Sequence, residues 1–161
     1  EHIYGGVQTG RISFFNNSTA IRDGKSLIRW ERTLADYSLN YLFLQYIRTQ
    51  MGIGDLIFKE ILLDTANDYR AVENVVKKYI SPLKSFGDFM TDFRIALLLK
   101  KTAGPYGFMG ESCFNSVSPL LYTGTGKNVY GGGALYKSII GSFEDPGDAG
   151  ASIQYAGITL E

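Results

Sequence analysis

The stretch LADYSLNYLFLQYIRTQMG, from Leu34 to Gly52, constrains the fold of this 161-residue chain more than any other. It has few charges to mark a solvated side. A helix that is apolar on most of its faces is usually central to a domain. The stretch therefore predicts a central helix that begins near Leu34 and stops at Gly52, because glycine suits a left-handed C-terminal cap. The large apolar side chains that fill its turns are Tyr37, Tyr41, Leu42, Phe43, Leu44, Tyr46 and Ile47.

Three later segments also have helical spacing and are joined by short loops, so about four helices are expected in all. The first begins behind Asp55, which is placed to cap its N-terminus. The second ends before Pro82, which prevents further extension. The third opens with Ser85 and Asp88, spaced as in a capping box. The apolar positions of these helices are Leu56, Ile57, Ile61, Leu62, Ala71, Val72, Val75, Val76, Tyr79, Ile80, Phe86, Phe89, Met90, Phe93, Ala96 and Leu97.

The two ends of the chain favour other structures. VQTGRISFF alternates weakly between apolar and polar residues, which predicts a short strand or an extended loop, and NNST and RDGKS are typical of turns. After Lys101, Gly-rich turns separate VSPLLY, ALYKSIIGSF and SIQYAGI, which favour strands. The expected fold class is α+β: about four packed helices followed by a small Gly-rich β tail. The helical part is expected over 1–103 and the β-rich tail or subdomain over 104–161.

Composition excludes several classes of function. Sixteen basic and sixteen acidic residues cancel, so no global field attracts nucleic acid or an anionic membrane. No window approaches the roughly 18 apolar residues of a membrane span. Many Tyr and Gly residues beside a single cysteine, Cys113, favour a secreted or cell-envelope protein and a buried thiol. The start, EHIYGG, is no signal peptide, and we expect the chain to be a piece of a longer protein.

Signatures of catalysis are missing from the sequence. The zinc motif H-E-x-x-H needs two histidines, and only His2 exists. A Ser-His-Asp arrangement would need His2 as its base, and no G-x-S-x-G elbow is present. Gly24-Lys25-Ser26 looks like the end of a phosphate-binding loop, but Thr19 stands where that motif requires glycine.

The acidic residues select no site either. Three of them lie in or next to DPGDAG and offer oxygen ligands for calcium, but the spacing matches no EF-hand, so a solvated turn is favoured: Glu144, Asp145 and Asp148. Others are scattered over the helices, where a paired-carboxylate glycosidase site stays open but surface solubility is the favoured interpretation: Glu31, Asp36, Glu60, Asp64 and Glu73. The residues alone indicate a globular domain.

The segment WERTLADYSLNYLFLQYIRTQMG, Trp30 to Gly52, resembles a stretch of hyicolysin-like bacterial zinc metallopeptidases. In such proteins a Trp, then D-Y-x-x-x-Y-L-F, then a long helix ending at Gly lie downstream of the zinc-binding helix. The segments IFKEIL, VENVV, SFGDFMTDF, GALYKSIIGSF and DAGASIQYAGI also resemble these proteins. The resemblance spans about Trp30 to the end, through packing motifs that are less specific than a catalytic signature.

The resemblance implies a gluzincin-type peptidase. In that type, two His of H-E-x-x-H and a Glu on a following helix hold zinc, and the Glu within the motif polarises the bound water. EHIYGG fits the end of the helix that carries the third ligand. Glu1 then corresponds to a later, non-ligating Glu, with Glu1 as the third zinc ligand left as the alternative. The resemblance therefore implies no catalytic residue or cofactor in this chain and zinc in the parent protein.

The expected function follows from this resemblance. The chain would be the C-terminal scaffold portion of a zinc metallopeptidase-like protein and catalytically incompetent by itself. Its partner would be the missing N-terminal zinc-bearing part, and the parent would act on a peptide or protein. The alternative is a non-catalytic cell-surface binding or structural module. On the first hypothesis the isolated chain should expose apolar surface where partner helices would pack.

Overall fold

The computed structural model describes residues 5–141 and 153–159. Within these ranges the chain is helical and contains no β-strand. A short 3₁₀ turn, Ser112–Phe114, follows the last helix. The α-helices with assigned bounds are α1 Thr9–Asn17, α2 Thr19–Arg22, α3 Leu34–Gln50, α4 Leu56–Leu63, α5 Tyr69–Tyr79 and α6 Phe86–Leu99.

Helix α3 is the centre of the core, which confirms the prediction from its sequence. It begins behind Thr33, whose hydroxyl accepts the backbone N–H of Asp36 while the Asp36 carboxylate accepts the Thr33 N–H, a complete capping box. It ends just before Gly52, whose φ of +72° is the left-handed conformation that glycine tolerates best. Helices α1, α2 and α4 all pack against α3.

Helix α6 joins this core through aromatic side chains of α3. The Phe43 ring lies 5.0 Å from the Phe93 ring, and the Tyr46 ring lies 5.0 Å from Phe89, measured between centroids. Tyr46 is fully buried, and its hydroxyl donates to the carbonyl of Pro105 over 2.6 Å. Residues beyond α6 belong to the same buried cluster, including Phe108, Phe114 and Val117.

The predicted helix starts have different outcomes. Ser85 and Asp88 form the expected capping box at the start of α6. Asp55 does not cap α4, so that prediction was wrong. An N-cap residue needs extended backbone angles, and Asp55 is itself helical at φ −65° and ψ −15°.

The prediction of a strand or extended loop in VQTGRISFF was wrong, because these residues form most of α1. The weak alternation hid a helical spacing: Ile12 and Phe15, three residues apart, are both buried. Contact with α3 then stabilises a helix that local propensity favours only weakly. Ser18, within the predicted NNST turn, caps the short α2.

The predicted β tail is absent from the described residues. Neither 115–141 nor 153–159 contains a strand, which covers VSPLLY, most of ALYKSIIGSF and most of SIQYAGI. The tail makes isolated backbone contacts instead, such as Tyr122 N–H to the Tyr136 carbonyl and Leu27 N–H to the Gly132 carbonyl. Consecutive glycines interrupt any regular ladder, and these residues pack on the helices as irregular chain. Residues 142–152 lie outside the described ranges.

Candidate functional site

One side of α3 exposes apolar side chains near its N-terminus. Leu34 is 57% exposed and Tyr37 is 45% exposed, while Trp30, in the preceding loop, is 49% exposed. The Trp30 and Tyr37 rings meet edge to face with centroids 5.0 Å apart. We call Trp30, Leu34 and Tyr37 the front face. Leu44, two turns further along the same side, is also exposed.

A depression of about 290 Å³ adjoins the front face, because Leu34 lines it. Gln8, Gly10, Arg11 and Phe14 contribute the lining from α1 and the residues just before it, and Ser38 contributes from α3. Ser38 is fully buried, and its hydroxyl has no hydrogen-bond partner in the part of the chain that the structure describes. An unsatisfied buried hydroxyl costs about 1–3 kcal/mol.

A buried ion pair fixes the turn that carries the front face. The ammonium of Lys25 lies 2.6 Å from a carboxylate oxygen of Glu31 and 2.9 Å from Oδ1 of Asp36. Asp36 is completely buried. Its Oδ1 accepts no well-directed hydrogen bond, so its contact with Lys25 is mainly electrostatic. Its other oxygen, Oδ2, accepts hydrogen bonds from Thr33 N and Oγ1 and from Glu31 N.

These contacts keep the pair ionised at neutral pH. Burial acts to raise the pKa of Asp36, but hydrogen bonds from Thr33 and the Lys25 ammonium outweigh it and hold that pKa below its usual value. Burial acts to lower the pKa of Lys25, yet Glu31 and Asp36 hold it above its usual value. An ion pair between charged Lys25 and charged Asp36 therefore attaches the loop before Leu34 to α3.

Arg94 of α6 fastens the Gly-rich segment to the same loop. Its guanidinium is buried and donates to the carbonyls of Gly132 and Lys25. Tyr136 donates its hydroxyl to the Arg94 carbonyl over 2.8 Å. Burial lowers the pKa of Arg94. Ser26 completes the attachment by donating its hydroxyl to the Gly131 carbonyl.

The substitution Gly132→Ala should lower the free energy of unfolding by about 2 kcal/mol, since Gly132 has a φ of +76° that costs a residue with Cβ about 1–2 kcal/mol. An added Cβ would also lie 3.1 Å from the Met90 sulfur. Urea unfolding of both proteins measures the difference. Gly126→Ala is the matched control in the same segment, because it meets no atom within 4 Å and should change stability little. Equal effects would contradict the prediction.

Over 112 residues, or 68% of this chain, the sequence is 49% identical to the neutral metalloprotease ShpI of Staphylococcus hyicus. The chain is homologous to part of a bacterial metalloprotease. The matched residues make up 26% of ShpI, so the chain spans about a quarter of that relative's length. No protein-family profile matches the chain. The predicted relationship to bacterial metallopeptidases is therefore confirmed.

The candidate ligands from the sequence are not brought together in the described residues. Glu1, the alternative zinc ligand, and His2 lie outside them, as do Glu144, Asp145 and Asp148. Across residues 5–141 and 153–159, no group of three or more His, Cys, Asp or Glu side chains could hold a metal ion. No helix in these ranges is long and apolar enough to cross a membrane.

The remaining candidates have structural roles. Lys25 and Ser26 of the phosphate-loop look-alike are engaged by carboxylates and by a backbone carbonyl, so neither is presented to a phosphate. Cys113 is partly buried next to Glu111, and burial raises the pKa of its thiol. A raised pKa disfavours the nucleophilic thiolate.

The sequence interpretation missed the role of Asp36. It grouped Asp36 with the surface carboxylates, but this side chain is completely buried in the first turn of α3, beneath the loop that carries Trp30. The available signal was the spacing of Thr33 and Asp36, the same capping-box pattern that identified the start of α6. That spacing predicts the cap, although it does not predict the ion pair with Lys25.

Proposed function

We propose that this chain is the C-terminal scaffold portion of a gluzincin-type zinc metallopeptidase, secreted or held in the cell envelope. The zinc ligands and the general base would lie in an N-terminal part of the same protein. The chain would support the zinc-bearing helices and form one wall of the cleft that binds a peptide or protein substrate. By itself it would have no peptidase activity.

The observation that carries this proposal is the extent of the homology. Identity of 49% over 112 residues relates the chain to a metalloprotease, but those residues are only 26% of that protease. A quarter of the length leaves ample chain elsewhere for a metal site.

The exposed apolar side chains favour a scaffold over a self-contained cell-surface module. A module that works alone would bury most of its large apolar side chains or use them in a defined binding site. Here Trp30, Leu34 and Tyr37 are about half exposed beside an unsatisfied buried hydroxyl. Contiguous exposed apolar surface commonly marks a place where another protein segment packs.

We expect the isolated chain to retain no stoichiometric zinc after dialysis and to cleave no casein or peptide substrate. The longer protein that contains it should carry about one zinc per molecule, as catalytic sites of this kind do, and should lose activity with a chelator. Elemental analysis and a fluorescent casein assay on both proteins measure these outcomes.

The control is the longer protein after chelation and zinc re-addition, which should recover its activity. The gene upstream of Glu1 should encode H-E-x-x-H within about 20–70 residues. A longer protein without that motif and without activity would overturn the proposal and favour the module. Tight zinc binding by the isolated chain would show that the site lies within it.

A further inference from the structure

We infer that residues 122–136 form an Ω-loop that opens and closes as one unit against the segment 24–27, and that the closed loop covers the guanidinium of Arg94. Residues 122–136 are called the Ω-loop below. This inference goes beyond the proposed function, because the movement lies within the described chain and needs no metal, substrate or further segment.

The Ω-loop is closed at its base by a hydrogen bond between its two ends. The backbone N–H of Tyr122 donates to the carbonyl of Tyr136 over 2.6 Å. Inside the loop, the Tyr122 hydroxyl donates to the Gly126 carbonyl over 3.0 Å. The Gly133 N–H donates to the Tyr130 carbonyl over 2.8 Å. A surface loop whose ends meet and whose own groups pack within it is a compact structural unit.

Backbone carbonyls of the glycine run attach the closed Ω-loop to the segment 24–27. The Leu27 N–H donates to the carbonyl of Gly132 over 3.2 Å. The Ser26 hydroxyl donates to the carbonyl of Gly131 over 2.6 Å. These contacts join the tip of the loop to the helical body and leave the hydrogen bonds inside the loop intact when they break. The loop can therefore separate from the body without first unravelling.

Arg94 lies beneath this contact and makes the closed state costly. Its guanidinium is buried and donates to the carbonyls of Gly132 and Lys25. Among the described residues it faces no carboxylate, and its Nε has no hydrogen-bond partner. Burial of a charge without an opposite charge, and of an N–H without an acceptor, is unfavourable. Opening of the Ω-loop lets water reach both groups, so it recovers part of this cost.

The chain is anchored directly before the Ω-loop, which places the hinge. The Ser118 N–H donates to Oδ1 of Asn16 over 2.8 Å, and the Asn16 side-chain amide donates to the Ser116 carbonyl over 2.7 Å. Val117, between these two anchors, is fully buried. After the loop, residues 137–141 are all exposed. The movement is therefore carried by 119–121 on one side and by exposed chain on the other.

Hydrogen exchange resolved to single backbone amides tests the inference on this chain. The Leu27 N–H is the reporter, because its hydrogen bond to Gly132 is lost when the Ω-loop opens. Local opening lets an amide exchange without global unfolding. Leu27 should therefore exchange faster than amides of α3 such as Tyr46, but slower than an unprotected amide. Exchange of Leu27 at the α3 rate, or with no protection, would overturn the inference.

Gly133→Ala opposes the closed state directly. An added Cβ would lie 2.6 Å from the carbonyl oxygen of Gly24, a backbone atom of the opposing segment. Exchange at Leu27 should rise about tenfold, as expected for overpacking at a close contact. Gly126→Ala is the matched control in the same loop, because its Cβ meets no atom within 4 Å. Equal rates at Leu27 in the two variants would contradict the inference.

Two tyrosine variants test whether the Ω-loop moves as a unit. Tyr136→Phe removes a hydrogen bond from the loop to the Arg94 carbonyl of α6, so exchange at Leu27 should rise about fivefold, the factor that corresponds to one hydrogen bond. Tyr122→Phe removes a hydrogen bond that stays inside the loop in both states, so Leu27 should not change. An equal increase in both variants would show that the loop unravels, and would overturn the inference.

The amides of α3 provide the internal standard for each variant. Their exchange rates should match those of the unsubstituted protein, which shows that the helical body is folded while the Ω-loop is released. Faster exchange of α3 and Leu27 together would show that the loop is part of the global folding unit, and would overturn the inference. The proposed function would stand in that case, since zinc content and peptidase activity test it separately.

Discussion

Replacing Asp36 with alanine should lower the free energy of unfolding by about 4 kcal/mol, the size expected when one partner of a buried ion pair is removed. Among the described residues, the substitution leaves the buried ammonium of Lys25 with only the half-exposed Glu31 as a counter-ion. It also removes the acceptor for the Thr33 N–H and hydroxyl. Urea unfolding followed by circular dichroism measures the loss.

Asp88→Ala is the matched control for this prediction. Asp88 occupies the equivalent position in the separate capping box at the start of α6. Its side chain is solvent-exposed, and Lys84 is the smallest of the influences that lower the pKa of its carboxyl group. Loss of such a cap costs about 1 kcal/mol. Equal losses for the two substitutions would show that the cap, and not the buried pair, accounts for the effect at Asp36.

The same comparison at acid pH gives an independent check. The pKa of Asp36 is lower in the folded protein than in the unfolded chain, so the unfolded state binds more protons in this range. The stabilisation from Asp36 is therefore complete above the unfolded pKa of about 3.9 and is lost as pH falls through the folded pKa. Stability should decline below about pH 4 more steeply in the unsubstituted protein than in Asp36→Ala.

Tyr46→Ala should lower the free energy of unfolding by about 4 kcal/mol, because it opens a cavity between α3, α6 and the chain beyond. Tyr46 is fully buried, and its ring contacts Phe89, Phe93 and Phe108. In a close-packed core the aromatic neighbours cannot move far enough to fill the space around an alanine, so part of the cavity remains. Urea unfolding and near-ultraviolet circular dichroism would measure the loss of stability and of aromatic packing.

Two variants separate the components of this effect. Tyr46→Phe keeps the ring and removes only the hydrogen bond to Pro105, so it should cost about 1 kcal/mol. Tyr37→Ala removes an aromatic ring from the same helix at a half-exposed position, where contacts with Trp30 and Arg11 are worth about 1 kcal/mol. A small effect of Tyr46→Ala would contradict the central position of α3 in the core.

The two substitutions should disturb different parts of the structure. Asp36 holds the loop that carries Trp30 through Lys25 and the Glu31 N–H, so its loss should loosen that loop as well as lower stability. Tyr46 lies in the interior of the described chain, so its loss should act through overall stability. Hydroxyl-radical footprinting of Trp30 in the two variants would distinguish a local release of the loop from general unfolding.

The central helices could be predicted because their signals are local. The apolar breadth of Leu34–Gln50 and the glycine after it identified α3, and Ser85 with Asp88 identified α6. The failures lie where local signals were weak. The segment Thr9–Asn17 became a helix through packing of Ile12 and Phe15 against α3. The Gly-rich tail formed no strands in the described residues, because it packs on helices and not on a neighbouring strand.

By itself the sequence determined the main helices, the capping box at the start of α6 and the relationship to metallopeptidases, since periodicity, capping spacing and packing motifs are all carried by neighbouring residues. Only the tertiary structure decided which capping carboxylate is buried and which helix face is uncovered. Asp36 and Asp88 have the same local pattern, yet one pairs with Lys25 beneath a loop and the other faces solvent. Burial depends on contacts between segments distant in sequence, and no short motif records them.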